Sequence, residues 1–259
     1  MSSPTTRRVA LVTGGAKRIG SHIAHLLAEN GWNIALHYRN SLAEAKSALR
    51  SLQMQGGQHC AIQADLTDEQ ETRQLFVQAV AMLGRVDAVI NNAAVFDYDD
   101  AATFQSSQLQ AHMMPNLAAP IVLAQALHKH VCERPNAKGV VVNLLDQKLS
   151  NPNPDFLSYT LSKSALKTAT TLLAQALAPK VRVVGVSPGL TLPSHLQTAE
   201  AFEQTHRMAP LEQSSTPEDI AHSVLFLLNN PSITGVDLIV DGGQHLVGME
   251  RDFSMMQTP

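Results

Sequence analysis

The chain of 259 residues is 44% hydrophobic and 16% charged, which suits one large core, and α/β folds of this length are often single domains. A formal net charge of -3 without any run of Lys or Arg argues against nucleic acid and anionic membranes as partners, and two cysteines without metal-ligand spacing give no support to a disulfide framework or zinc site. With no apolar segment near the roughly 20 residues that span a bilayer, a soluble protein of the reducing cytoplasm is expected.

In chain order, the first apolar run, "VALVT", is strand-length and too short for a signal peptide despite the two arginines before it. Further strand-like runs are "NIALHY", "HCAIQAD", "VDAVINNA", "GVVVNLL", "RVVGVSPG" and "VDLIVDGG". Between them, segments 18–30, 42–54, 68–83, 104–132, 156–178 and 217–229 carry apolar residues at helical spacing. Thr67 and Thr216 are candidate caps, and Pro217 suits a first helical position. Strands alternating with helices predict a single-domain α/β fold over residues 1–259, a Rossmann-like doubly wound parallel sheet with helices on both faces. The irregular segment 187–215, with a short helix around 197–207, follows a strand end and is positioned as a substrate flap.

"TGGAKRIG" sets Gly14, Gly15 and Gly20 in a strand-to-helix turn, where backbone N–H groups and the helix dipole receive a phosphate; a plain tight turn is the alternative reading. The second strand ends in "HYRNS", without the acid that bonds a ribose 2′-hydroxyl and repels a 2′-phosphate. Arg39, with Ser41 and either His37 or Asn40, is a candidate for the extra phosphate of NADP, against the alternative of a solvated loop cation. Asp65 reads as an adenine contact or as a helix cap.

Tyr159 and Lys163 lie one helical turn apart and face the same way. Lowering a tyrosine from pKa about 10 to working pH takes about 4 kcal/mol. One ammonium at an effective dielectric of ~20 supplies about that much, so Lys163 is expected to stabilise a developing tyrosinate.

In order and spacing, "TGGAKRIG", "NNAA", Asn116 in a long helix, Tyr159-x-x-x-Lys163, "SPG" and "VDGG" resemble the short-chain dehydrogenases/reductases over roughly residues 8 to 248. Within that superfamily the chain looks most like the pteridine reductase and dihydromonapterin reductase branch, whose first turn carries an arginine and whose catalytic Asp-Tyr-Lys set is matched by Asp146, Tyr159 and Lys163. The resemblance implies NADPH as cofactor. Its phosphate site would be Gly14, Lys17, Arg18, Ile19 and Gly20; its adenosine site His37, Tyr38, Arg39, Asn40 and Ser41, with Asp65 and Leu66. Asn92 and Ala93 would flank it, with Tyr159, Lys163, Pro188, Gly189 and Thr191 at the nicotinamide end. Asn116 would hold a water of the proton relay, while Arg18, Phe96, Asp146 and Tyr159 would meet the substrate, Phe96 by stacking. Ala94 departs from relatives that carry a serine there to hold the pterin amino group.

In most of the superfamily a serine takes the place of Asp146 and donates to a ketone oxygen, whereas an ionised carboxylate repels a developing alkoxide. Reduction of a C=N bond needs a proton on nitrogen, which a carboxylic acid sharing protons with Tyr159 and water can deliver. Reduction of a 7,8-dihydropterin is the leading expectation; a ketone, aldehyde or quinone reductase and a non-catalytic NADPH sensor are the alternatives. The resemblance also implies a homotetramer. The tail "GMERDFSMMQTP" either completes a neighbour's site or stays unordered.

Overall fold

The computed structural model describes residues 7–193 and 197–256. Its strands are β1 (Val9–Val12), β2 (Asn33–Tyr38), β3 (His59–Gln63), β4 (Ala88–Asn91), β5 (Gly139–Leu144), β6 (Val181–Pro188) and β7 (Asp237–Val240), all parallel in the order β3-β2-β1-β4-β5-β6-β7. Period-two alternation gives the inner strands β1, β4 and β5 two buried faces, while the edge strands β3 and β7 are only partly buried. Ala10 and Val12 join the core under α1 (Arg18–Glu29), α2 (Leu42–Met54) and α8 (Pro217–Asn229). Val9 and Leu11 join the one under α3 (Glu69–Leu83), α5 (Ala119–Cys132) and α6 (Leu157–Leu177). Each fully buried Val or Leu contributes about 1.5–3 kcal/mol, so a register slip is strongly disfavoured. The result is a Rossmann-like α/β fold.

The chain moves outward from β1 through β2 to β3, then returns to β4 on the other side of β1. The loops leaving β1 and β4 therefore diverge and open a crevice at the strand C-terminal ends.

Two details differ from the sequence expectation. Thr67 directs both its N–H and its hydroxyl to Asp65 Oδ1, so Asp68 caps α3 instead, accepting the Glu71 N–H at 2.9 Å. The expected helix 104–132 is three pieces: α4 (Ser106–Met113), a π-helical turn Met114–Ala118, and α5. Pro115 and Pro120 each lack an N–H, which interrupts the regular ladder there. Thr216 does cap α8, in a capping box with Asp219 followed by Pro217. The expected flap begins inside β6, contains α7 (Ala199–His206), and at 194–196 lies outside the described residues. No helix among the described residues is long and apolar enough to cross a membrane.

Candidate active site

A cleft of about 850 Å³ runs along the strand C-terminal ends, from Arg39 to Asp146. All the cofactor and substrate residues named from the sequence line it; Asn116 does not.

At the first turn, Gly14 has φ +62°, a left-handed conformation that favours glycine. A Cβ on Gly20 would collide with the Gly14 carbonyl and the Asn92 amide, so α1 starts tight against the sheet. Its N-terminus has no side-chain cap and no acid in the first turn, while Lys17 and Arg18 stand beside it. Unclaimed N–H groups next to two cations fit a diphosphate. Asn92 fixes the turn by donating to the Thr13 carbonyl at 2.9 Å, and the Thr13 hydroxyl accepts the N–H groups of Asn92 and Ala93, each at 3.0 Å.

His37 is buried and braces the turn from below. Its Nδ1 accepts the Gly14 N–H at 3.1 Å, which leaves Nε2 to donate to the Ala64 carbonyl at 3.0 Å. That pairing requires neutral imidazole, and burial lowers its pKa. At the adenosine end Arg39 is exposed and has no ion pair among the described residues, which suits a 2′-phosphate. Asp65 folds back on Thr67 and senses the Arg39 charge.

Asp146 follows β5 and Tyr159 lies in the first turn of α6. The Tyr159 hydroxyl donates to Asp146 Oδ2 at 2.8 Å, and the Lys148 N–H donates to Oδ1 at 2.8 Å. Desolvation at the cleft floor raises the Asp146 pKa, against these two hydrogen bonds. Burial together with the adjoining carboxylate raises Tyr159 well above the ordinary tyrosine value. Lys163 donates to the Leu144 carbonyl at 2.6 Å and stands 5.8 Å from the centre of the tyrosine ring, and burial lowers its pKa to about 8. Tyr159 and Asp146 thus form a buried hydrogen-bonded pair in which both pKa values are raised.

Asn116 stands behind α6 in the π-helical turn. Its side chain accepts the Val95 N–H at 2.8 Å and donates to the Val95 carbonyl and to Ser162 Oγ, each at 3.0 Å, so it ties the β4 loop to the catalytic helix. Phe96 stacks one face on Phe156 at 4.2 Å and 16° and meets the Tyr159 ring edge-on at 4.7 Å. Arg18 donates to the Pro193 carbonyl at 3.0 Å, joining the glycine turn to the loop after β6. Thr191 is buried and bonded to the Gly189 carbonyl and Ser215, while Gln244 Oε1 accepts the Leu190 N–H at 2.9 Å.

Several residues at this site have no local sequence signal. Phe156, under Phe96, adopts a left-handed φ of 55° at the start of α6. Lys148, Asp252, Phe253 and Ser254 also line the cleft.

Residues 14–245 match the family model described as enoyl-(acyl carrier protein) reductase, of the short-chain alcohol dehydrogenase type. The chain belongs to the short-chain dehydrogenase/reductase family. It is similar in structure to the FolM alternative dihydrofolate reductase 1 of Brucella canis complexed with NADP, at TM-score 0.88 and 37% identity, covering 95% of this chain and 97% of that one. It is 32% identical to pteridine reductase 1 of Leishmania tarentolae, covering 95% of this chain and 99% of that protein. It is also 30% identical to the granaticin polyketide synthase putative ketoacyl reductase 2 of Streptomyces violaceoruber, covering 92% and 96%. As a short-chain dehydrogenase/reductase the protein is an oxidoreductase.

Proposed function

We propose that this protein reduces a 7,8-dihydropterin to the tetrahydro level with NADPH. NADP(H) is the cofactor, supplying hydride to the substrate when bound. Its diphosphate would lie at the uncapped N-terminus of α1, with Arg39 and Ser41 at the 2′-phosphate and Lys163 and Tyr159 at the nicotinamide end. Hydride adds to the carbon of a C=N bond, and the Tyr159–Asp146 pair, refilled by water, gives the proton to nitrogen. The hydrogen bond between these two groups, with the Asp146 pKa raised, is the observation that carries this reading. Phe96 lines the cleft next to Tyr159, where an aromatic ring suits a flat heterocycle. Similarity to the Leishmania and Brucella reductases supports the same choice.

Carbonyl reduction is the second reading, favoured by similarity to the Streptomyces ketoacyl reductase. NADPH oxidation with 7,8-dihydrobiopterin or 7,8-dihydromonapterin, set against a ketone and a quinone, separates the two. We also propose a homotetramer, for which Ile121, Leu161 and Leu172, exposed on α5 and α6, supply apolar contact surface. Sedimentation velocity tests it.

A further inference from the structure

The C-terminal segment folds back onto the cleft of its own chain. Arg251 forks onto Asp155, Nε to Oδ2 at 2.8 Å and Nη2 to Oδ1 at 2.9 Å, and the Asp252 N–H also donates to Asp155 Oδ2 at 2.8 Å. Lys148 Nζ donates to the Asp155 carbonyl at 2.6 Å and to Asp252 Oδ2 at 3.1 Å. Asp155 is 2% exposed and Lys148 4% exposed, so the joint is buried on their side, while the Arg251 side chain that forks onto it is half exposed. The next residue, Phe156, is the one on which Phe96 stacks. Held in this way, Asp252, Phe253 and Ser254 line the cleft together with Asp146 and Phe96. Phe253 is buried, and its carbonyl accepts from Gln197 at 3.2 Å.

We propose that residues 252–254 of the same chain form a wall of the substrate pocket, that Asp252 and Phe253 determine which substrate is accepted, and that Arg251 is the positioning residue that holds them there. The proposal rests on the reductase reading of the cleft. Asp252 lines the cleft together with Asp146, and its charge adds to the burial that raises the Asp146 pKa. Lys148 is the cation facing Asp252, and it also bonds the backbone of Asp155. Although Asp252 is paired with Lys148, its carboxylate gives the wall acceptor oxygens, which favour a heterocycle rich in N–H donors over a substrate carrying its own carboxylate.

The test compares the full chain with Arg251→Ala, Arg251→Lys and a chain ending at Glu250. NADPH binding is followed by fluorescence, folding by thermal melting, and KM and kcat with 7,8-dihydrobiopterin. Arg251→Ala and the shortened chain are expected to raise KM about tenfold. NADPH affinity should stay unchanged, and Arg251→Lys should restore part of the loss. Asp252→Asn should narrow the preference for 7,8-dihydrobiopterin over 7,8-dihydrofolate by about fivefold. A shortened chain that folds, binds NADPH and keeps its KM overturns the proposal, as does an unchanged preference in Asp252→Asn. If the full chain reduces a ketone but no pterin, the pterin reading fails. The KM for that ketone then tests the wall independently: unchanged on shortening, it overturns the wall as well.

Discussion

Tyr159 donates its hydroxyl proton to Asp146 at 2.8 Å, while the nearest lysine in sequence, Lys163, gives its ammonium to the Leu144 carbonyl. The phenol thus has a hydrogen-bond acceptor at its oxygen where a neighbouring cation was expected. Burial and the adjoining carboxylate raise the tyrosine pKa, so the phenol stays protonated and is placed to relay a proton between Asp146 and the cleft.

Tyr159→Phe removes the hydroxyl and leaves the ring edge-on to Phe96. It should lower kcat about 10²–10⁴-fold with NADPH affinity retained, as stopped-flow reduction and fluorescence titration would read.

Asp146 binds its proton more tightly in the folded chain than in the unfolded one. The sign follows from linkage: the ionised form is a cost to folding that appears as pH rises through the ordinary carboxylate value near 3.8 and is complete above the raised value. Asp146→Asn removes that cost, so at pH 7 it should raise Tm by about 2–4 °C while cutting turnover about 10²-fold or more. A lowered Tm would mean that the carboxylate is a net stabiliser.

Activity should fall as pH rises through the Asp146 value, because the proton-giving form is lost. Lys163, lowered to about 8, loses its charge near that pH and adds a second falling limb in NADPH binding. For stability the sign is opposite. Between about 8 and its ordinary value of 10.5 the unfolded chain holds the Lys163 proton and the folded chain does not, so this group makes folding more favourable as pH rises. Kd for NADPH measured from pH 6 to 9 checks the binding limb.

Arg39→Asp places a carboxylate where a 2′-phosphate is expected. NADPH affinity should fall about 10–100-fold and NADH affinity stay within about twofold, measured by paired titrations.

His37→Leu leaves the Gly14 N–H without its buried acceptor, at a cost of about 1–3 kcal/mol. In the native protein the same bond weakens as acid protonates Nδ1. Because its folded pKa is lowered, His37 contributes stability that is present above its ordinary value near 6.5 and is lost as pH falls through the folded value. Melting curves of both proteins at pH 5 and 7 should therefore converge toward acid.

The sheet was legible because its signals are local: strand-length apolar runs, the glycine turn of residues 14–20, and the four-residue spacing of Tyr159 and Lys163 on one helix face. What escaped depends on partners distant in sequence. Arg251 meets Asp155 across 96 positions and Gln244 meets Leu190 across 54, and no periodicity encodes either pair. The Leu144 partner of Lys163 escaped for the same reason, since that carbonyl belongs to β5. Phe156 escaped because its neighbours, Phe96 stacked on its ring and Tyr98 edge-on to it, are distant in sequence.

The most direct measurement is NADPH oxidation with 7,8-dihydrobiopterin, a ketone and a quinone by the native protein, Asp146→Ala and Asp146→Ser. Turnover selective for the pterin, which collapses in both variants without loss of NADPH binding, is the expected result. Turnover of the ketone or quinone alone, or an Asp146→Ser protein that gains carbonyl activity and keeps its pterin activity, would contradict the assignment of Asp146 as the partner of Tyr159 in protonating nitrogen.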